Sequence, residues 1–220
     1  MKRRTLLAGS ILGVLSVTGR ARAQGIALTA QDRADLGRVE AYMNTIHTLK
    51  ARFLQVAPDG ATTQGTAWIE RPGRLRFQYD PPTPLLLVAG HGLVFFNDSQ
   101  LGQTNNFPLN ATPLGILLSD HLTFSGDVTV NGIARQPGQI QISMYRTASP
   151  GDGTLTLVFA DNPLALRQWS TIDAQHQETR VTLLDVELGG TFNQDLFNFV
   201  DPKFLGREGS PVTGPAPSRP

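Results

Sequence analysis

Residues able to do acid–base or metal chemistry are few and scattered in this chain. The four histidines, His47, His91, His121 and His176, stand singly in separate stretches, and there is no cysteine. A zinc site would have to gather histidines and carboxylates from distant places, without a thiolate. His91 sits in a Gly90-His-Gly92 turn and His121 follows a short apolar run, which are ordinary positions for turn or surface histidines. Asp80 and Asp98 end strand-like runs, where Asp commonly supports turns. No Gly-x-Ser-x-Gly, Gly-rich phosphate loop or His-Glu-x-x-His occurs. The chain therefore reads as a non-enzyme without catalytic residues, metal or cofactor; a hydrolase with an unrecognised Asp/His site is the remote alternative. The aromatics are few and not interleaved with basic residues, as a single-strand nucleic-acid binder would require.

One cation calls for an account. Residues 67–79 read as two β-strands joined by a tight Pro72-Gly73 corner, Pro presetting φ and Gly supplying a positive one. After the corner, Leu75, Phe77 and Tyr79 alternate with Arg74, Arg76 and Gln78. Before it, Ala67, Ile69 and Arg71 share one face. If Ala67 and Ile69 point inwards, Arg71 does too, and its five donors need partners there. The alternative is a solvated strand end paired with Glu70 or Asp80.

The elements that position these residues follow a signal segment, 1–23. Lys2, Arg3 and Arg4 precede an apolar run from Leu6 to Val17, and Ala21-Arg22-Ala23 offers a cleavage site before Gln24. Arg3-Arg4-Thr5-Leu6-Leu7 is similar to a twin-arginine export signal, an ordinary basic start being the alternative. The run is too short to span a bilayer comfortably, and export from a bacterial cytoplasm is the expectation. The segment holds five of the 19 basic residues, leaving 14 against 18 acidic ones. A net charge of about −4 argues against a nucleic-acid partner or an anionic membrane surface. The absence of cysteine leaves no residue for an N-terminal lipid anchor, so a soluble protein is expected.

The body, 24–205, reads as one domain large enough for a sizeable core. Thr29 and Asp32 approximate a capping box, and Leu36, Val39, Met43 and Ile46 recur at helical spacing up to about His47. Period-two alternation then predicts strands near 49–57, 62–71, 74–80, 84–89, 93–97 and 101–107. A short apolar helix follows at Leu114–Leu118, with Thr112 as its cap and Pro113 at its first position. Further strands are predicted near 121–124, 127–134, 139–147, 154–160, 164–173 and 177–188, with turns at Asn131-Gly132, Pro137-Gly138 and Gly151-Asp152-Gly153, and a last strand at 197–199. Leu85-Leu-Leu-Val88 is apolar on both faces, as expected of a strand covered on both sides. Residues 206–220, rich in Gly, Pro and Ser, read as a disordered tail.

Leu49-Lys-Ala-Arg-Phe53, the block Trp68-Ile-Glu-Arg71-Pro72-Gly73, Leu86-Leu-Val-Ala-Gly90, Leu101-Gly-Gln103 and Thr112-Pro113-Leu114, in this order, resemble the LolA family of periplasmic lipoprotein carriers. The resemblance runs from about 30 to 202. It implies a mainly β fold, an incomplete antiparallel β-barrel of about 11 strands covered by a short helical lid, with an N-terminal helix. It implies a periplasmic, monomeric chaperone that shuttles acylated lipoproteins from the inner to the outer membrane. Its partners would be the inner-membrane lipoprotein-releasing ABC transporter and, as a further candidate, an outer-membrane receptor. The receptor LolB shares the fold but is anchored through a cysteine, which this chain lacks. A carrier or sensor of another amphiphilic lipid is the alternative within the binding class.

The resemblance also bears on Arg71, which occupies the position of an arginine that latches the lid in the closed, empty state. Its partners are expected around Leu114–Leu118. Expected lining residues for an acyl chain are Phe53, Ile69, Leu75, Phe77, Leu87, Leu114 and Leu117, the alternative being that they simply fill the barrel. Each methylene withdrawn from water contributes roughly 0.8 kcal/mol, so a carrier needs an enclosed apolar cavity and a lid that opposes over-tight binding.

Overall fold

A computed structural model describes residues 25–200. The signal segment 1–23, its boundary at Ala23–Gln24 and the tail 206–220 lie outside the described residues. Helix α1, Ala30–Thr45, opens with the expected capping box: the Thr29 hydroxyl accepts from the Asp32 amide while the Asp32 carboxylate accepts from the Thr29 amide at 2.8 Å.

Eleven strands follow: β1 Thr48–Val56, β2 Thr62–Glu70, β3 Arg74–Tyr79, β4 Leu85–Gly90, β5 Leu93–Asp98, β6 Gln103–Pro108, β7 Val128–Gln136, β8 Gln139–Arg146, β9 Thr154–Asp161, β10 Leu164–Ile172 and β11 Glu178–Leu188. They form one antiparallel sheet in the order β6-β5-β4-β3-β2-β1-β11-β10-β9-β8-β7, left open between β6 and β7. Between those two edges in sequence comes the one-turn helix α2, Leu114–Leu117, entered through a 3-10 turn at Leu109–Ala111.

The sheet is strongly curled. Phe77 on β3 and Trp169 on β10 lie four strand steps apart, roughly 19 Å across a flat sheet, yet their ring centroids are 6.0 Å apart. Inward residues of both halves join one core with Leu36, Val39 and Met43 of α1 and Ile116 and Leu117 of α2. Polar contacts anchor the start of α1 to the far half of the sheet. Arg135 on β7 donates to Asp32 at 2.7 Å and Asp35 at 2.8 Å, and Arg38 reaches Asp161 at the end of β9 at 2.7 Å.

Three sequence expectations are corrected. Residues 121–124 form no strand. Leu122 and Phe124 are buried and share a face, which mimics strand alternation. Their backbone groups, however, are satisfied by α1 side chains: Asn44 Nδ2 donates to the Leu122 carbonyl at 2.9 Å, Asn44 Oδ1 accepts from the Leu122 amide at 2.9 Å, and Glu40 accepts from the Phe124 amide at 3.1 Å. Residues 197–199 likewise form no strand. They leave a 3-10 turn, Gln194–Phe197, which lies against the outer face of the sheet, where Arg76 donates to the Leu196 carbonyl and Phe199 stacks on Phe95. This segment covers the second face of β4, where Val88 is fully buried. The approach is close: a Cβ at Gly90 would sit 2.5 Å from the Phe197 carbonyl oxygen. Asn131-Gly132 is a bulge within β7, not a turn.

Two helix ends also differ from expectation. The first helix stops at Thr45, two residues early, and Pro113 caps α2 while the Thr112 hydroxyl donates to the Leu109 carbonyl instead.

Candidate functional site

The inner faces of β1, β3, β4, β10 and β11 enclose an apolar cavity of about 360 Å³, with Leu114 of α2 on its wall. Of the seven residues expected to line it, Leu75, Phe77, Leu87 and Leu114 do. Phe53, Ile69 and Leu117 do not; they are nearly inaccessible and belong to the packed core. Phe53 stands behind the wall, its ring stacked on Phe77 at 4.4 Å and edge-on to Tyr79 at 5.2 Å. All seven share the inward phase of their elements, and Leu75 and Phe77, 1% and 4% exposed, belong to the packed core as well as to the wall, whereas Leu87 and Leu114 are only half-buried.

The cavity also uses residues that pattern reasoning did not single out: Tyr79, Leu85, Phe96, Trp169 and Val181. Tyr79 and Leu85 continue the phases of Phe77 and Leu87, so they were within reach of the alternation. Trp169 and Val181 are register partners on β10 and β11, which come opposite β3 only through the curl. Burial pushes the Tyr79 phenol up to about 12, so it stays protonated and donates to Gln55 Oε1 at 2.9 Å.

Arg71 follows β2 and is 8% exposed. Neither carboxylate of the solvated alternative pairs with it, since Glu70 pairs with Arg74 and Asp80 with Arg52. Its guanidinium instead makes five hydrogen bonds, matching its five donors. Nε donates to the Ser119 carbonyl at 2.7 Å and Nη2 to the Asp120 carbonyl at 3.2 Å, both just past α2. Nη1 donates to the carbonyls of Met43 and Ile46 at the end of α1, and Nη2 also reaches Asn44 Oδ1. Burial lowers the pKa of this arginine, opposed by the nearby Asp120.

The expected partners at Leu114–Leu118 are thus corrected for the side chain: it grips the exit from α2 and the C-terminus of α1, where orphan carbonyls accumulate. The neighbouring backbone does meet the expected range, the Gly73 amide donating to the Leu118 carbonyl at 2.8 Å. A second arginine flanks α2. Arg146, at the end of β8, has a buried Nε without a hydrogen-bond partner, and its Nη2 lies 2.5 Å from where a Cβ on Gly115 would be.

The four histidines are exposed and lie on four different segments, and the described residues hold no cluster of three or more His, Cys, Asp or Glu suited to a metal ion. A curled sheet, an apolar cavity and a short segment clamped across it can enclose apolar matter. A family model described as "Outer membrane lipoprotein carrier protein LolA" matches residues 44–200. The chain belongs to the LolA family.

Proteins named outer-membrane lipoprotein carrier protein are among its relatives. One from Methylococcus capsulatus is 26% identical over 174 residues, covering 75% of this chain and 83% of its own. Another, from Pseudomonas paraeruginosa, is 27% identical over 191 residues, covering 81% and 90%. Among solved structures, a LolA superfamily protein from Nitrosomonas europaea covers 79% of this chain and 99% of its own at 9% identity and a TM-score of 0.39. The LolA match begins at Asn44, within the last turn of α1. It therefore includes Arg71, its acceptors Ile46, Ser119 and Asp120, and every residue that lines the cavity, while the acceptor Met43 stands one residue before it.

Proposed function

We propose that this LolA-family chain is a periplasmic carrier that holds the acyl chains of lipoproteins in the cavity and takes them from the inner to the outer membrane. The observation that carries the reading is the apolar cavity of about 360 Å³ bounded by Leu75, Phe77, Leu87 and, from α2, Leu114. Its volume stands at the lower end of the roughly 300–1,000 Å³ common for ligand pockets. Several acyl chains need more room, so loading displaces α2 and breaks the Arg71 bonds to Ser119 and Asp120. Re-forming those bonds on the empty protein offsets part of the cost of expelling the chains, which keeps cargo releasable.

An inner-membrane transporter would supply the cargo and an outer-membrane receptor would accept it. The decisive experiment is mass spectrometry of the native protein taken from the periplasm, combined with a transfer assay. Bound triacylated lipoprotein that moves on to outer-membrane acceptors supports the carrier. Bound free lipid with no lipoprotein would favour a carrier of another amphiphile.

A further inference from the structure

Arg146 is a second cation that calls for an account. It ends β8, and its Nε is the one buried side-chain nitrogen or oxygen without a hydrogen-bond partner among the described residues. The rest of its guanidinium makes no hydrogen bond or ion pair among the described residues either. Buried donors left unmet are rare, and each asks for a reason. An arginine that only served solubility would extend into water, where all five donors are met. Arg146 instead lies over α2, its Nη2 within 2.5 Å of where a Cβ on Gly115 would be.

A pocket of about 360 Å³ opens at this place, and it shares no lining residue with the apolar cavity. Three glycines, Gly73, Gly92 and Gly115, line it without side chains, and no acidic residue does. Asp120 and Asp127, exposed on adjoining segments, neither line the pocket nor pair with Arg146. Two polar side chains join the arginine there. The Ser119 hydroxyl is spent on the Ile116 carbonyl at 2.8 Å, whereas the exposed Asn110 amide has no partner among the described residues.

We propose that this pocket is a binding site for a phosphate group, free or carried on a small polar molecule. Two phosphate oxygens meet the guanidinium, as its planar fork favours, and a third meets the Asn110 amide. A carboxylate has no third oxygen to offer, and a neutral ligand leaves the charge unmatched. The glycines let the group approach the backbone closely. Asn110, Gly115 and Ser119 belong to the segment that carries α2, and Arg146 belongs to β8. A bound phosphate therefore ties α2 to the β7–β8 edge of the sheet. The site does not depend on the carrier reading, and neither falls with the other.

The test follows backbone amide NMR signals of the purified protein during titration with inorganic phosphate, glycerol 3-phosphate or acetate, ionic strength being held constant with sodium chloride. Phosphate should give saturable shifts confined to the surroundings of Gly73, Gly92, Asn110 and Gly115, with a Kd on the order of 1 mM. Acetate should bind at least roughly fivefold more weakly, and saturation with phosphate should slow hydrogen exchange over residues 109–120. Arg146→Gln should weaken phosphate binding at least about tenfold and Arg146→Lys less, with thermal unfolding reporting that both fold. Tighter binding of glycerol 3-phosphate supports the site with an esterified source, and tighter binding of inorganic phosphate supports it with the free ion. No saturable shift in wild type, shifts scattered away from the pocket, or acetate binding as tightly as phosphate would each overturn the proposal, whether or not the glutamine variant folds. Undiminished affinity in a folded Arg146→Gln would overturn it as well.

Discussion

Arg71 Nε donates to the carbonyl oxygen of Ser119 at 2.7 Å, across 48 residues of chain. The same guanidinium holds the carbonyls of Met43 and Ile46, so the last turn of α1, the end of β2 and the exit from α2 share one cation. The groups that accept its hydrogen bonds are neutral dipoles, with the Asp120 carboxylate near enough to favour the charge. Each bond is individually modest and can be exchanged for water when α2 moves.

Arg71→Leu should therefore leave the Ser119 and Ile46 carbonyls without their guanidinium donor, Met43 keeping the Ile46 amide, and lower stability by about 2–4 kcal/mol. In transfer assays the variant should still acquire lipoprotein but release it slowly, because closing the empty protein no longer offsets expulsion of the chains. Arg71→Lys should recover part of the release rate, since one ammonium cannot span three segments as the planar fork does. Release kinetics identical to wild type in the leucine variant would exclude the latch.

Gly115→Ala tests how tightly α2 is seated. A Cβ there would meet Arg146 Nη2 at 2.5 Å and the Leu109 carbonyl oxygen at 2.6 Å. The arginine can swing away, but the Leu109 backbone cannot without disturbing its 3-10 turn. The expected result is a loss of about 1–3 kcal/mol in chemical denaturation, with faster hydrogen exchange confined to residues 109–120.

Leu87 and Leu117 should separate wall from core. Leu117→Ala removes a residue that is 2% exposed and should cost about 2–5 kcal/mol of stability, with acyl-chain affinity changing little in the folded fraction. Leu87→Glu puts a carboxylate on the wall of the cavity, where Leu87 is half-buried. It should weaken acyl-probe binding at least about tenfold while destabilising less than Leu117→Ala. The opposite pattern would place the acyl site elsewhere.

Asp32 should contribute to acid sensitivity. Thr29 and then Arg135 hold its carboxyl down to about 2, below the ordinary value of 3.8. A folded-state value below the unfolded one means stabilisation that is present in full above pH about 4 and is lost as pH falls through about 2. The difference in melting temperature between wild type and Asp32→Asn should be constant from pH 7 to about 5 and shrink between about 4 and 2. A difference that persists at pH 2 would assign the role of Asp32 to packing.

Local chemistry alone determined much of this protein. The Thr29–Asp32 capping box, the alternation of Leu75, Phe77 and Tyr79, and the positive φ at Gly73 all rest on contacts within a few residues and are legible as pattern. So is the β-rich architecture, because its strands join neighbours in sequence except where β1 meets β11 and where the sheet stays open. Pattern also makes Arg71 face inwards with Ala67 and Ile69, leaving its partners undefined.

The tertiary structure decided those partners, because the carbonyls of Met43, Ile46, Ser119 and Asp120 lie 25 to 49 residues away and converge only when α1 and α2 dock on the same corner. It decided, too, that 121–124 is not a strand, since Asn44 and Glu40 satisfy that backbone in place of a ladder. Finally, it separated Leu87 on the cavity wall from Phe53 in the core. Period-two alternation reports which face a side chain takes, and depth on that face depends on the curvature that brings β3 to within ring contact of β10.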